Sequence, residues 1–247
     1  MRWAIFSDIH GNLDALDAVL SDIESQKPDR MICLGDVVGY GATPNECVDR
    51  VRATGAEVLC GNHDHAATGQ LVIDYFNDNA RAAIEWTRQA LTPESLAWLK
   101  ERPYEVRHPG FLAVHASPTQ PQAWDYVLSA HAAAGEFDGF KEPLCFIGHS
   151  HFPVIYRQTG GAGGRVSELE FPPNQPMALP MGARQIVNVG SVGQPRDNDP
   201  RAAWTLFDAR AGTLELRRVE YPVQKAAERI LAAGLPAFLA ARLEVGM

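Results

Sequence analysis

Near its amino terminus the chain alternates short apolar runs with turns rich in Gly and Asp and with stretches of helical periodicity. Residues 3–6 are apolar and precede a Ser-Asp-Ile-His-Gly-Asn turn, after which apolar residues recur at helical spacing over residues 13–23. A second apolar run, residues 30–34, ends in Gly-Asp and precedes a helical stretch, and a third, residues 58–60, ends in Gly-Asn-His-Asp. Three strands separated by helices predict a sheet whose first part is parallel, with right-handed crossovers.

The rest of the chain predicts two further helices and then mostly strands. Apolar spacing over Asp74–Lys100 fits a pair of helices, for which we favour packing against the domain over a partial lid. Beyond Gly160 the chain contains a Gly-rich turn, a Pro-rich stretch and short strand-like runs, a pattern that is typical of antiparallel sheet. We expect one domain, residues 1–247, with this helical insert at about 74–100 and terminal helices at about 223–243. The later strands are predicted at Phe111–Val114, Leu144–Ile147, Val154–Tyr156, Gln185–Val189, Ala203–Phe207 and Leu214–Val219.

Charge and cysteine usage exclude several classes of protein. The 22 basic and 30 acidic residues give a net charge of −8, and no basic block runs along the chain, which disfavours binding of a nucleic-acid duplex or an anionic membrane. The four cysteines form no CxxC pair and are predicted to be reduced core residues. Since we find neither a signal peptide nor an apolar stretch of about 20 residues, we expect a cytoplasmic protein.

Histidines and oxygen ligands stand where apolar runs meet turns. In open α/β sheets such strand ends converge on ligand sites, because side chains from several turns meet there. Carboxylate, amide and imidazole groups without thiolate suit Mn, Fe, Ni, Co or Zn. The fragments are Asp8-x-His10, Gly35-Asp36, Gly61-Asn62-His63-Asp64, Val114-His115-Ala116-Ser117 and Gly148-His149-Ser150-His151.

Each fragment alone is weak evidence for a metal site. A lone Asp-x-His is more often a capped turn, Asn62 could form an Asx-turn with its own backbone, and His115 could be a satisfied histidine at a strand end. It is less plausible that each of the five fragments, in this order, has a separate structural role than that all five contribute to one site.

The ordered series DIHGN, GDVVGYG, GNHD, VHAS and GHSH resembles the calcineurin-like metallophosphoesterase superfamily. The later NVGSVGQPRD looks like its small bacterial single-domain branch of YfcE-like phosphodiesterases and diadenosine-tetraphosphatase-like proteins. The resemblance covers residues 1 to about 243. Ala116 and Ser150 depart from the Gly and Thr that many relatives carry, which affects the expected metal spacing only slightly.

The resemblance implies a four-layer α/β/β/α sandwich with two mixed sheets and two divalent metal ions, with Mn or Fe as first candidates. His63 would be a catalytic histidine that binds no metal, and Asp64 would orient it. A metal-bridging hydroxide would attack the phosphorus. Of the implied ligands, Asp8, His10 and His151 would bind the first ion, Asp36 would bridge, and Asn62, His115 and His149 would bind the second.

Three further residues are candidates for substrate contacts. Asn12 and Tyr40 stand beside the ligand turns, although helix capping and packing explain them equally well. Arg196 could hold a phosphate bidentately or pair with Asp197 or Asp199.

The function that the resemblance implies is hydrolysis of a small phosphodiester, phosphomonoester or nucleotide polyphosphate. The alternatives are a noncatalytic scaffold, which the intact His63 disfavours, and a metal-dependent sensor. The sequence leaves the oligomeric state open.

Overall fold

Twelve strands and eight α-helices make up the computed structural model, which describes residues 1–247. The strands are β1 (Arg2–Phe6), β2 (Arg30–Cys33), β3 (Glu57–Val58), β4 (Glu105–His108), β5 (Phe111–Val114), β6 (Leu144–Ile147), β7 (Val154–Thr159), β8 (Arg165–Leu169), β9 (Met177–Ala178), β10 (Arg184–Asn188), β11 (Ala202–Asp208) and β12 (Thr213–Val219). The helices are α1 (Leu13–Gln26), α2 (Pro44–Thr54), α3 (Asn62–Ala67), α4 (Asp78–Ala90), α5 (Pro93–Lys100), α6 (Ala130–Glu136), α7 (Val223–Ala232) and α8 (Ala237–Val245).

The strands form two six-stranded mixed sheets. The first sheet has the order β3-β2-β1-β11-β12-β9, and β1, β2 and β3 run parallel, as the sequence predicted. The second has the order β4-β5-β6-β10-β7-β8, in which β5, β6 and β10 run parallel. The carboxyl ends of parallel strands lie along one edge of a sheet, so each sheet offers one edge where the following turns collect.

Alternating side chains on the strands build the layers. Trp3 and Ile5 of β1 belong to a core of 17 buried residues that joins the two sheets, whereas Ala4 and Phe6 face a core of 35 residues under the helices. Strands β5 and β6 alternate in the same way between the central core and a third core under α6. This confirms the predicted four-layer α/β/β/α sandwich.

The helical insert and the terminal helices pack on the outer face of the first sheet. Ala83 and Ile84 of α4 and Leu239 of α8 are buried in the larger core. Helix α7 is also tied to α1, because Lys225 Nζ and Arg229 Nε lie 2.6 and 2.9 Å from the Asp14 carboxylate. Helices α4 and α5 therefore pack against the domain, as we favoured.

The strands beyond Gly160 pair antiparallel, as expected, with one exception, the parallel pairing of β10 with β6. These strands divide between both sheets, and β10 pairs parallel with β6 on one side and antiparallel with β7 on the other. The sequence also gave no sign of β4, β8 or α6. Strand β4 carries Glu105 and Arg107 on its exposed face, and α6 is a seven-residue helix of mostly alanine, so neither shows a clear apolar period.

The cysteines and the hydropathy of the helices bear on the class of protein. All four cysteines are buried and unpaired, as predicted. None of the helices combines the length and hydropathy that crossing a bilayer requires.

Candidate metal centre

All seven predicted metal ligands lie at the same end of the two sheets. Those from the first sheet stand just after its parallel strands, and those from the second follow β5 or join β6 to β7. Every one of them is buried, with at most 9% of its surface exposed. The positions are Asp8 and His10 after β1, Asp36 after β2, Asn62 after β3, His115 after β5, and His149 and His151 after β6.

The first group of donor atoms consists of Asp8, His10 and His151. His151 Nε2 lies 3.3 Å from Asp8 Oδ1 and 3.1 Å from His10 Nε2. His10 Nε2 in turn lies 3.8 Å from Asp8 Oδ1. Three donor atoms that face one another at this spacing can hold a single ion, as the resemblance implied.

The second group consists of Asp36, His115 and His149. Asp36 Oδ2 lies 3.4 Å from His115 Nε2 and 3.6 Å from His10 Nε2, so this carboxylate stands between the two groups. The rings of His115 and His149 are 5.1 Å apart. The placement of Asp36 is what a ligand shared by two ions needs.

Backbone carbonyls fix the orientation of three of these imidazoles. Nδ1 of His10 lies 3.2 Å from the Val38 carbonyl, and Nδ1 of His115 lies 3.0 Å from the Leu34 carbonyl. Nδ1 of His151 lies 2.5 Å from the carbonyl of Gln194. Since Nδ1 then carries the proton and donates, the Nε2 lone pair is left for a metal ion.

Unusual backbone conformations aim the ligands into the site. Five of them have left-handed backbones, with φ of 55° at Asp8, 50° at His10, 52° at Asp36, 65° at His149 and 64° at His151. Each such residue costs about 1–3 kcal/mol, so the surrounding structure must enforce it. Backbone hydrogen bonds between neighbouring loops provide this support, including one of 2.9 Å from the Gly148 N–H to the His115 carbonyl and one of 2.9 Å from the Gly193 N–H to the Asp8 carbonyl.

Two glycines permit the close approach of these loops. A Cβ at Gly61 would collide with the Asp36 carboxylate, and one at Gly148 would collide with the side chains of Ser7 and Asp8. Both collisions involve groups that are themselves buried, so they cannot move aside. The glycines of the GNHD and GHSH motifs are therefore required by packing around the ligands.

Several buried atoms of the site that could bind a metal ion have no hydrogen-bond partner in the protein. They are Asp8 Oδ1, Asn62 Oδ1, His115 Nε2 and His149 Nε2. A buried polar atom without a partner is costly, and a bound ion is one of the few explanations for such a group. Four such atoms of the carboxylate, amide and imidazole types fit divalent transition metals.

Burial and the contacts between the ionisable groups of the site shift their pKa values. Burial opposes ionisation of Asp8 and Asp36, but the His151 imidazole beside Asp8 and the His115 imidazole beside Asp36 hold the pKa of each carboxyl well below its usual range. Burial also acts against protonation of His115, yet Asp36 outweighs it and raises the His115 pKa to about 9. A metal ion that binds His115 Nε2 would therefore displace a proton from this atom. By contrast, burial lowers the pKa of His149 to about 3. The two carboxylates therefore stay ionised and demand positive charge beside them.

His63 lies beside the ligands at the start of α3. Its ring is 4.8 Å from that of His10, and its backbone N–H donates to Asp36 Oδ1 at 2.8 Å. Burial lowers its pKa to about 4. Its ring also comes close enough to Asp36 and His10 to form with them a third group of atoms that could bind a metal ion. The distances alone therefore do not decide whether His63 is a metal ligand or a catalytic group.

Asp64, which we expected to orient His63, makes no hydrogen bond with the His63 ring. Its two carboxylate oxygens accept the backbone N–H groups of Val38 and Gly61, each at 3.1 Å, whereas Nδ1 of His63 has no partner. Burial and the negative charge of Asp36 raise the pKa of Asp64 to about 7. Asp64 thus ties the loop after β2 to the start of α3, and it positions His63 only through the backbone.

The three candidate substrate contacts have different environments. Asn12 caps α1 by accepting from Ala15 N at 3.1 Å and donates to the Gly193 carbonyl at 2.9 Å, which fits the capping alternative. Tyr40 is buried, with its ring 4.4 Å from that of His63. Arg196 donates to Gln194 Oε1 at 2.8 Å and lies over the Tyr40 ring.

The predicted alternative for Arg196, an ion pair with Asp197 or Asp199, is wrong. Arg218 binds Asp197, and Arg201 holds Asp199 at 2.6 Å. Both aspartates are therefore already neutralised by other arginines, which leaves the half-buried Arg196 beside the site with an amide as its partner.

Sequence reasoning gave no role to the residues that hold the ligand loops. Asn188 donates to the Gly148 carbonyl at 2.7 Å and to Ser150 Oγ at 2.9 Å. Ser191 donates to the Asp8 carbonyl at 2.8 Å. The NVGSVGQPRD motif contained this signal, since two of its polar side chains, Asn188 and Ser191, hold the ligand loops. Tyr126, whose ring stacks on His149 at 4.0 Å, gave no sequence signal.

Comparison with known proteins agrees with this geometry. An uncharacterized protein of Methanocaldococcus jannaschii is 36% identical over 98% of this chain and 97% of its own length. A symmetrical bis(5'-nucleosyl)-tetraphosphatase of Vibrio vulnificus is 31% identical over 54% of this chain and 50% of its own length. The crystal structure of a metallophosphoesterase from Sphaerobacter thermophilus matches with a TM-score of 0.89 and 39% identity over 100% of both chains.

The sequence model of the calcineurin-like phosphoesterase superfamily domain matches residues 1–211, which include every candidate ligand. The resemblance seen in the sequence is thereby confirmed. The chain belongs to the calcineurin-like phosphoesterase superfamily and is a hydrolase that acts on phosphoester bonds.

Proposed function

We propose that the protein is a phosphoesterase that depends on two metal ions and hydrolyses a small phosphodiester, phosphomonoester or nucleotide polyphosphate. The main support for this proposal is that the seven candidate ligand side chains are buried at the same end of the two sheets. Asp36 lies between the two groups that they form. The unpartnered donor atoms at this place support it further.

In this proposal Asp8, His10 and His151 hold one ion, Asn62, His115 and His149 hold the other, and Asp36 is shared. When bound, two divalent ions supply positive charge for the phosphate oxygens and lower the pKa of coordinated water. The oxygen and nitrogen ligands suit Mn or Fe, with Ni, Co or Zn as alternatives.

His63 assists departure of the leaving group. Its low pKa keeps the imidazole neutral near pH 7, so one ring nitrogen carries a proton and can donate a hydrogen bond to the leaving oxygen. A bound phosphate brings negative charge, which raises the pKa of a nearby imidazole and so increases the fraction that is protonated. The imidazolium would then give its proton to the leaving oxygen as the P–O bond breaks, and return to the neutral form. The Asp64 bridge to Val38 and Gly61 keeps His63 at the required place.

Arg196 is proposed to contact a phosphate oxygen of the substrate. Its guanidinium lies over the Tyr40 ring and is held by a neutral amide, so its positive charge is not cancelled by a carboxylate. A guanidinium binds phosphate oxygens with charge-assisted hydrogen bonds.

The substrate is proposed to be small. The acidic net charge of −8 gives no broad basic surface for a duplex. The Vibrio vulnificus relative is named for a dinucleoside tetraphosphate, and this supports a nucleotide polyphosphate as one candidate substrate.

The experiment is a hydrolysis panel with chelated protein that is reloaded separately with Mn, Fe, Ni or Zn. The substrates are p-nitrophenyl phosphate, bis-p-nitrophenyl phosphate and a dinucleoside polyphosphate. We expect activity to disappear on chelation and to return with Mn or Fe on at least one substrate. Protein that binds two ions per chain and stays inactive on the whole panel would contradict the proposal and favour a metal sensor.

A further inference from the structure

A cavity of about 260 Å³ opens beside the candidate metal centre. Its walls come from the start of the helical insert, from the loop before α6 and from the metal centre itself. Its lining includes Tyr75, Phe76, Trp124, Tyr126, His63 and His149. We call this cavity the aromatic pocket.

The aromatic pocket is continuous with the site of chemistry. Asn62, His63 and His149 form part of its wall, and all three belong to the candidate metal centre. A phosphate held there would therefore place a directly attached group at the mouth of the pocket.

Aromatic rings cover the pocket next to these residues. Tyr126 stacks on His149 with ring planes 22° apart, and Phe76 packs edge-on against His63 at 5.3 Å. Tyr75 continues this layer with its ring 5.4 Å from Phe76. Aromatic faces arranged beside a polar centre are suited to stack with another planar ring.

The rings at the rim are exposed in a way that packing does not explain. Tyr75 is 67% exposed and Tyr126 is 51% exposed, although both are large aromatic residues. Large aromatic side chains exposed together beside a cleft are typical of binding sites.

The size of the pocket limits what it can receive. Its 260 Å³ is slightly below the range of about 300–1,000 Å³ for pockets that enclose whole small molecules. It therefore has room for one ring system but not for an entire dinucleotide.

We propose that the aromatic pocket binds a planar aromatic group, a nucleobase or an aryl ring, that the substrate carries on its phosphate. The inference rests on the proposed function, because that function places the phosphate at the metal centre. It makes Tyr75 a residue that determines substrate specificity. Its ring is free to stack on the bound group because it covers no buried core.

The test is calorimetric binding of phosphonates, which a phosphoesterase cannot hydrolyse, to the Mn-loaded protein. One pair compares benzylphosphonate with methylphosphonate, and the other compares the methylenephosphonate analogues of AMP and of ribose 5-phosphate. We expect the ring-bearing member of at least one pair to bind about 10-fold tighter, the order of one stacking contact. The pair that shows the preference identifies the ring as aryl or nucleobase.

Variants at the rim complete the test. Tyr75→Ala should remove most of the preference, Tyr75→Phe should keep it, and Val72→Ala, an exposed neighbour outside the pocket, should match the wild type. Equal affinity within both pairs, or an unchanged preference in Tyr75→Ala, would overturn the proposal. Calorimetry measures binding and not turnover, so the affinities can also be compared in a protein that hydrolyses nothing. Such inactivity would contradict the proposed function, whereas the affinities would still test the aromatic pocket.

Discussion

His63→Ala is expected to lower kcat by about 10²–10⁴-fold, the usual contribution of a general acid. The variant should keep both metal ions, because seven other side chains are proposed as ligands. His63 is nevertheless close enough to His10 and Asp36 to be a ligand itself. Metal content by mass spectrometry, measured on the protein used for kinetics, separates the two roles.

His65 provides a matched control on the same short helix. It is also buried, but its ring packs against Tyr104 at 5.0 Å and Trp124 at 5.7 Å, and it reaches the ligand His115 only through the Trp124 ring. His65→Ala should therefore reduce stability while kcat per folded molecule stays near that of the wild type. If His63→Ala loses a metal ion together with its activity, His63 is a ligand and not the proton donor.

Asp36→Asn is expected to abolish metal binding at the shared position and, with it, activity. The amide is the same size as the carboxylate, so Oδ1 can still accept from the His63 N–H. It lacks the negative charge, however, that lies 3.4 and 3.6 Å from the two imidazoles. Since loss of a residue that only supports a ligand costs about 10–100-fold in metal affinity, loss of a shared ligand should cost more than about 100-fold.

Thermal unfolding gives an independent measure of this loss. Metal at about 1,000 times its Kd stabilises a folded protein by about 4 kcal/mol, which for this size corresponds to a rise in Tm on the order of 10 °C. The wild type should show this rise and Asp36→Asn should not. Asp22→Asn is the control, because the Asp22 carboxylate accepts hydrogen bonds from Trp204 and Arg217 and from none of the candidate ligands. A full Tm rise in Asp36→Asn would contradict the shared-ligand assignment.

The sequence was sufficient for much of the fold because local signals agreed with the final packing. The apolar runs at β1 and β2 end in polar turns and are separated by helical spacing, which favours parallel pairing. Strand β5 was predicted with its observed bounds, since all four of its residues are apolar and both faces of the sheet are buried. Helices α7 and α8 were predicted to within about two residues.

Elements that depend on tertiary contacts could not be predicted in the same way. Strand β4 is half exposed and is stabilised by pairing with β5, a contact that its own polar pattern does not reveal. The assignment of strands to two sheets also depends on long-range pairing, such as β1 with β11. Local periodicity carries no information on which distant strand is the partner.

For the site, residue type and position at strand ends indicated the ligands, whereas hydrogen-bond partners could not be read from the sequence. Asp64 is adjacent to His63 in sequence, yet its oxygens bind backbone groups at Val38 and Gly61. Asn12 stands next to a ligand turn but caps α1. Their partners include backbone groups that only the fold brings close, Val38 for Asp64 and Gly193 for Asn12.

Anomalous X-ray diffraction at the metal absorption edge, from crystals of the Mn-loaded protein, tests the central claim most directly. We expect two peaks per chain, one between Asp8, His10 and His151 and the other between Asn62, His115 and His149, with Asp36 touching both. A single peak, or a peak bound by His63 in place of these ligands, would contradict the two-metal centre described here.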